Sequence, residues 1–132
     1  MAAIEGEVRA APRLLLRLEG LALGALGVWL FAQTGLSWWV FAGLFLLPDL
    51  AMIGYLAGPR LGAALYNAAH TVIGPVLLGA AALSLGSTTG LAVAAIWACH
   101  VEFDRALGYG LKYATRFGDT HLGAVGAASR NE

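Results

Sequence analysis

Two long runs of the chain contain no Asp, Glu, Lys or Arg, and turns rich in glycine or proline divide them into apolar segments. The first run extends from Gly20 to Pro48 and the second from Leu61 to Val101. A membrane-spanning helix needs about 20 mostly apolar residues, so the second run alone can hold two spans. The pattern predicts an all-α bundle of four transmembrane helices, at about residues 14–32, 37–57, 61–83 and 91–107.

The predicted organisation is a single membrane domain with two short ends. Residues 1–13 form the N-terminus, residues 14–107 the four-helix bundle and residues 108–132 a tail at the inner interface. Pro75 lies inside the third span and should kink it there, because its ring removes one backbone hydrogen bond.

Composition supports membrane insertion. The chain has 132 residues, of which 59% are hydrophobic and 12% charged, and its mean hydropathy is +0.73. A soluble domain carries roughly a quarter of its residues as charges, so this chain lacks the polar side chains to cover a globule. With zero net charge and no basic cluster, it lacks the electrostatic features of a nucleic-acid-binding protein. A single cysteine, Cys99, excludes a disulfide framework or a Cys-rich zinc site.

The basic residues predict the orientation. Four spans place all eight Lys and Arg at the same end of the bundle. They are Arg9, Arg13, Arg17, Arg60, Arg105, Lys112, Arg116 and Arg130. Under the positive-inside rule this end is cytoplasmic, which predicts a multi-pass inner-membrane protein with both termini inside. Trp38 and Trp39 would then mark the outer interface, and Tyr109 and Tyr113 the inner one.

Six polar side chains fall at similar depths in the four predicted spans. They are Glu19, Asp49, Asn67, His70, His100 and Asp104. At 1.5 Å of rise per residue, all six lie in one slab, roughly 5–15 Å inside the basic boundary. Ionisable groups at mid-membrane cost about 2.5–3.5 kcal/mol each, so they normally face the bundle and find partners. Helical spacing places Asn67 with His70, and His100 with Asp104, on shared faces. We therefore predict a polar pocket in the cytoplasmic half of the membrane.

Structural interpretations stand beside the functional ones. They are an intrahelical hydrogen bond for His100 with Asp104, an ion pair with Arg60 or Arg105 for Asp49, a snorkelling charge for Glu19, and a satisfied core histidine for His70. Small-xxx-small patterns at Gly20/Gly24, Gly54/Gly58 and Gly58/Gly62 predict close helix packing and carry no chemistry.

Several short motifs in the chain recur together in one family. They are Leu16-Arg-Leu-Glu-Gly20, Pro48-Asp49, Leu56-Ala-Gly-Pro-Arg60, Tyr66-Asn-x-x-His70, His100-x-x-x-Asp104-Arg105, Gly108-Tyr-Gly-Leu-Lys112 and Asp119-Thr-His-Leu-Gly123. Over about residues 13–123 the chain resembles a family of small bacterial four-helix membrane proteins catalogued only as a domain of unknown function. The resemblance implies a single-domain membrane protein and no established activity. It also implies that Lys112, Asp119 and His121 belong to the unit, with the tail either folding over the site or lying as an ordinary surface segment.

The first functional hypothesis is a membrane-embedded enzyme acting on a lipid-like substrate. Two histidines and a carboxylate suit Zn²⁺ or non-haem Fe²⁺, whose bound water becomes a nucleophile near neutral pH. The assigned roles are metal ligation for His70, His100 and Asp104, with His121 as a further ligand if the tail folds back; general base for Asp49 or Glu19; and substrate binding for Asn67, Arg105 and Lys112. A metal-free version uses the same groups for proton transfer.

Two other hypotheses remain open. In a small proton-coupled transporter or ligand-binding protein, Glu19 and Asp49 would exchange protons for a cationic substrate. In a structural or partner-binding subunit, the polar network would only specify helix packing. The expected partners are membrane lipids, with assembly into a homo-oligomer left open.

Overall fold

The computed structural model describes residues 4–125, which form helices and one small hairpin; Arg130 lies outside the described residues. The helices are α1 (Ala10–Gln33), α2 (Trp38–Leu44), a 3₁₀ helix (Leu47–Ala57), α3 (Pro59–Ala69), α4 (Ile73–Leu85) and α5 (Thr88–Leu107). The hairpin pairs β1 (Asp119–Thr120) with β2 (Gly123–Ala124) in antiparallel register. Apart from this hairpin, which was not predicted, the fold is all α as expected.

Three helical segments are long and apolar enough to cross a membrane. They are Ala10–Gln33, Trp38–Ala57 and Pro59–Leu85. Most of their large apolar side chains are exposed, as the surface of a protein surrounded by lipid requires. Helix α5 has 20 residues but carries Glu102, Asp104 and Arg105 in its last turns. The structure therefore confirms a helical protein of membrane type, while the crossing of α5 and the orientation of the termini stay predictions.

Glycines bring α1 and α5 into close contact. Gly20, Gly24 and Gly27 are the buried positions on the inner face of α1, together with Phe31. A Cβ atom on Gly20 would lie 2.6 Å from the carbonyl oxygen of Glu102 in α5. The packing role predicted for the small-xxx-small patterns fits these positions. Gly58 differs, because a Cβ there would meet nothing within 4 Å; its φ of +122° shows that it serves the turn before α3.

The third predicted span is broken at a different place from the one expected. The helix ends at Ala69 and resumes at Ile73, so the interruption lies at residues 70–72. A proline ring collides with the carbonyl four residues earlier and removes that hydrogen bond. Pro75 therefore disrupts the backbone at Thr71, and it sits itself in the first turn of α4, where proline is tolerated.

The second predicted span shows the same effect of proline. Regular α-helix ends at Leu44, four residues before Pro48, and the chain continues to Ala57 as a 3₁₀ helix. The 3₁₀ helix packs against α3, and Leu65 and Gly62 of α3 lie close to Gly54. The second and third segments are therefore both irregular in the part of the bundle that carries Asp49 and His70.

The C-terminal tail folds back on the end of the bundle. The backbone N–H of Val8 donates to the His121 carbonyl at 2.7 Å, and the Tyr113 hydroxyl donates to the Gly6 carbonyl at 2.9 Å. Arg13, in the first turn of α1, donates to the carbonyl of Leu122 at 3.2 Å. The N-terminal segment and the tail therefore meet at one end of the molecule.

Candidate metal centre

Four of the six polar side chains predicted to share a slab converge on one point. Asp49 comes from the 3₁₀ helix, His70 from the break between α3 and α4, and His100 and Asp104 from successive turns of α5. One potential ligand atom from each side chain lies within 4.8 Å of all the others. The four side chains therefore come from the second, third and fourth predicted spans, and α1 contributes none of them.

The distances within the cluster match those around a transition-metal ion. The two Nε2 atoms of His70 and His100 are 3.2 Å apart, and each lies 3.1 Å from Oδ1 of Asp49. Oδ2 of Asp104 is 3.6 Å from Nε2 of His70 and 3.4 Å from Nε2 of His100. With metal–ligand bonds of about 2.0–2.1 Å, the ligand atoms of a tetrahedral zinc centre lie about 3.3–3.4 Å apart. The five distances that involve a histidine nitrogen are therefore close to those around a single ion of this size, and the ligand atoms of Asp49 and Asp104 lie within 4.8 Å of each other.

The helix break positions His70. Its Nδ1 lies 2.8 Å from the carbonyl oxygen of Tyr66, which can only accept, so Nδ1 carries the ring proton. The Tyr66 ring also stacks on the imidazole, with 3.8 Å between centroids and 8° between planes. Nε2 is thereby left with its lone pair facing the cluster. A backbone carbonyl that fixes the tautomer in this way is the usual support for a metal-binding histidine.

His100 is held by packing on the other side of the cluster. Its ring contacts Phe45 at a centroid distance of 5.2 Å and His70 at 5.1 Å. Within residues 4–125 its buried Nδ1 has no hydrogen-bond partner. Its position four residues before Asp104 puts both side chains on one face of α5, as the spacing predicted.

Exposure is uneven across the cluster. The side chains of His70 and His100 are 0% and 3% exposed, whereas those of Asp49 and Asp104 are 32% and 19% exposed. The histidines therefore form the buried side of the centre and the carboxylates its open side. A small molecule would reach the cluster from the side of Asp49 and Asp104.

Arg105 holds the backbone of the cluster residue His70 in place. Its guanidinium donates to the carbonyl of His70, which the helix break leaves free, and to the carbonyl of Tyr109 at 2.8 Å. The sequence predicted substrate binding for Arg105. In the structure its guanidinium instead links the backbone at the break to the backbone that follows α5. Trp97 acts similarly, since its indole N–H donates to the Ala69 carbonyl at 2.7 Å.

Asn67 and Lys112 join the bundle to the tail. The Asn67 side chain bonds both the carbonyl and the N–H of Lys112, at 2.8 and 2.7 Å, as a neighbouring strand would. The buried Lys112 ammonium donates to the Phe117 carbonyl and lies 4.7 Å from the centre of the Tyr66 ring. Because His70 covers one face of that ring, Lys112 lies over the other. These two predicted substrate-binding residues are thus separated from the cluster by Tyr66.

Glu19 and His121 are not brought into the cluster. Glu19 is exposed on α1, next to Gly20 at the contact with α5. His121 lies in the tail, where its Nδ1 accepts a hydrogen bond of 2.8 Å from the N–H of Leu111.

Two residues that contact the backbone or the ring of His70 and its neighbour, Tyr66 and Trp97, were given no role from the sequence. The separation of four residues between Tyr66 and His70, which places both on one face of a helix, is the signal that could have identified the first of them.

The tail should loosen on acidification because of His121. Burial lowers the pKa of His121 below its usual value, and nearby Arg105 lowers it further. The folded state therefore binds fewer protons than the unfolded state, so the contribution of His121 to stability is full above about pH 6.5 and declines below it. We expect the melting temperature of the wild type to fall more between pH 7.5 and 5.5 than that of His121→Asn, whose amide oxygen can replace Nδ1 as acceptor. Equal losses in both proteins would contradict this role.

The fold and the cluster define a helical protein of membrane type with a buried His/Asp group that can bind a metal ion. The chain belongs to the DUF4260 family, a domain of unknown function whose sequence profile matches residues 13–125. This match confirms the resemblance based on the motifs. No curated protein and no solved structure matches the chain significantly. The family supplies no activity, so any function must be argued from the site.

Proposed function

We propose that this protein is a membrane-embedded metalloenzyme that binds Zn²⁺ or Fe²⁺ through His70, His100 and Asp104, with Asp49 beside the ion as general base, and that it acts on a lipid-like substrate. The observation that carries the proposal is the convergence of four potential ligand atoms within 4.8 Å of one another. In the proposed topology α5 is the fourth span and the basic end of the bundle faces the cytoplasm of a bacterial inner membrane.

The choice of metal follows from the ligand types. Imidazole suits zinc and iron, whereas magnesium and calcium prefer oxygen ligands alone. Two neutral histidines and two carboxylates would together balance a divalent cation, giving a centre with no net charge. A neutral centre avoids much of the cost of placing charge within a membrane. The balance of charge therefore favours a bound divalent ion over a cluster in which the two histidines and two carboxylates only share protons.

A catalytic role is supported by the open side of the cluster. A structural zinc centre is closed by four ligands, which are commonly cysteines, while a catalytic one keeps a position for water or substrate. The partly exposed carboxylate of Asp49 presents Oδ1 to the cluster, so its second oxygen can accept a proton from an incoming water. A metal ion would supply activation of that water at neutral pH. We therefore assign ligation to His70, His100 and Asp104, which leaves one position for water or substrate, and we assign Asp49 the role of adjacent base. Arg105 supports His70 through its backbone carbonyl.

The other two hypotheses predict different behaviour. Proton-coupled transport through Glu19 receives no support from its exposed position on α1, outside the cluster. A structural network predicts that the same four side chains hydrogen-bond to one another without any metal. The metal content of the protein separates this second case from the proposed function.

The test is elemental analysis of detergent-purified protein by plasma mass spectrometry. We expect about one zinc or iron per wild-type chain and near-complete loss in the His100→Ala/Asp104→Ala double variant. His121→Ala and Glu19→Gln remove a histidine and a carboxylate outside the cluster, so both should keep the wild-type content. Wild-type protein that holds no metal, even after incubation with zinc or ferrous iron, would overturn the proposal.

A further inference from the structure

A separate apolar cavity of about 180 Å³ lies beside the cluster formed by Asp49, His70, His100 and Asp104. Its walls include Leu44, Pro48, Ala69, Val93, Ile96 and Trp97. Within the described part of the chain, all residues that line it are apolar, and the only polar atom among their side chains, the indole N–H of Trp97, already donates to the carbonyl of Ala69. A polar ligand would therefore lose its hydrogen bonds to water without gaining new ones.

Several residues that line the cavity lie next to the cluster residues in the sequence. Pro48 directly precedes Asp49, Ala69 directly precedes His70, and Ile96 lies one helical turn before His100. The backbone segments that position three of the four cluster residues therefore also form its walls. A molecule whose end occupied this cavity would pass close to the cluster.

The cavity also lies within the segments that are apolar enough to cross a membrane. Leu47, another of its lining residues, is 53% exposed, so the wall continues into the surface that faces lipid. In the proposed topology, the surrounding medium at this position is the acyl chains of the bilayer. An engineered apolar cavity of about 150 Å³ holds one benzene molecule, so this cavity has room for a few carbons of a slender chain but not for a sterol ring system.

We propose that this cavity binds the end of an unbranched hydrocarbon chain and thereby makes a lipid with such a chain the substrate class of the metal centre. The assignment rests on the proposed function for its catalytic part, but chain binding is measurable without any activity. The chain enters from the lipid-facing side past Leu47, and the polar part of the lipid reaches the open side of the cluster at Asp49.

The experiment is photolabelling in detergent with a straight-chain fatty acid that carries a diazirine at its terminal carbon. Labelled peptides are identified by mass spectrometry in the wild type, in Val93→Phe, which fills the cavity, and in Val76→Phe, a matched change on the lipid-facing surface of α4. We expect labelling on α5 around Val93 and Ile96, reduced about tenfold in Val93→Phe and unchanged in Val76→Phe. A tenfold loss corresponds to about two methylene groups that no longer fit.

The outcomes separate the two proposals. Metal content is measured on the same samples, so loss of labelling with metal retained is specific to the cavity, and labelling without any metal would overturn only the proposed function. Should Val93→Phe fail to fold, Leu47→Trp blocks the entrance from an exposed position. Labelling that neither variant reduces would overturn the chain site.

Discussion

Removal of the bound metal is expected to lower the free energy of unfolding by about 4 kcal/mol, relative to protein kept with free metal at a thousand times its Kd. The reason is the arrangement of the four ligand atoms. With Nδ1 of His70 donating to Tyr66, Nε2 of the neutral ring offers a lone pair to Asp49 at 3.1 Å and to His100 at 3.2 Å. Without a cation, a neutral His100 can supply one Nε2–H to this group, so the other close pairs of acceptors face one another with no proton between them.

Protonation of the histidines would relieve this conflict only in part. Two imidazolium rings would then point their Nε2–H groups at one another across 3.2 Å. Charges that leave water in this way carry a desolvation cost of several kcal/mol per ion. A divalent ion would bind both histidines and Asp104 and would lie next to the negative charge of Asp49, so folding and metal binding should be strongly coupled.

The measurement is thermal unfolding in detergent, followed by tryptophan fluorescence, before chelation, after chelation and after return of the metal. The melting temperature of the His70→Ala/His100→Ala double variant should not change with metal. Chelation should lower the melting temperature of His121→Ala by as much as it lowers that of the wild type. An unchanged wild-type transition, with loss of the metal verified by elemental analysis, would assign the cluster to a hydrogen-bonded packing network instead.

The sequence predicts that polar groups from different segments lie at one level of the bundle, but it does not predict which of them meet. Counting 1.5 Å per residue from the helix ends placed Asp49, His70, His100 and Asp104 in one slab, and these four do converge. The same count included Glu19, which the structure leaves exposed on α1. Depth alone does not specify which way a side chain faces. On α1 the contact with α5 is taken by glycines, so there is no room for Glu19 to turn inward.

The breaks in the second and third segments were harder to locate. Residues 61–83 carry no charge on either side of His70, so only the proline signals an interruption, and a proline acts on the carbonyl four residues before it. The kink expected at Pro75 therefore lies at residues 70–72. That shift frees the carbonyl groups of Ala69 and His70, which Trp97 and Arg105 then bind.

The docking of the tail had no local signal at all. Asn67 and Lys112 are 45 residues apart, and the pairing of one amide side chain with both backbone groups of Lys112 is a tertiary contact. Motifs that the chain shares with its family indicated that the tail belongs to the domain. They did not show that Lys112 packs over Tyr66 instead of reaching the cluster.

Gly20→Ala is expected to destabilise the folded protein by about 2 kcal/mol, although it adds only one methyl group. The new Cβ would lie 2.6 Å from the Glu102 carbonyl oxygen and 2.9 Å from the Ala106 nitrogen. These are backbone atoms of α5, so they cannot swing aside as the end of a flexible side chain can. The two helices must separate, and the residues around Asp104 must move with α5. We therefore also expect weaker metal binding in this variant.

Gly43→Ala is the matched control for this effect. Gly43 is exposed in α2, and a Cβ atom there would meet nothing within 4 Å, so only the better helix propensity of alanine remains and stability should stay equal or rise by up to about 1 kcal/mol. Unfolding in detergent and zinc affinity are measured on both variants. If Gly20→Ala matched Gly43→Ala in stability, α1 and α5 would not be in backbone contact in the folded protein. If it lost stability but kept its metal affinity, the cluster would be independent of α1, since no side chain of that helix contributes to it.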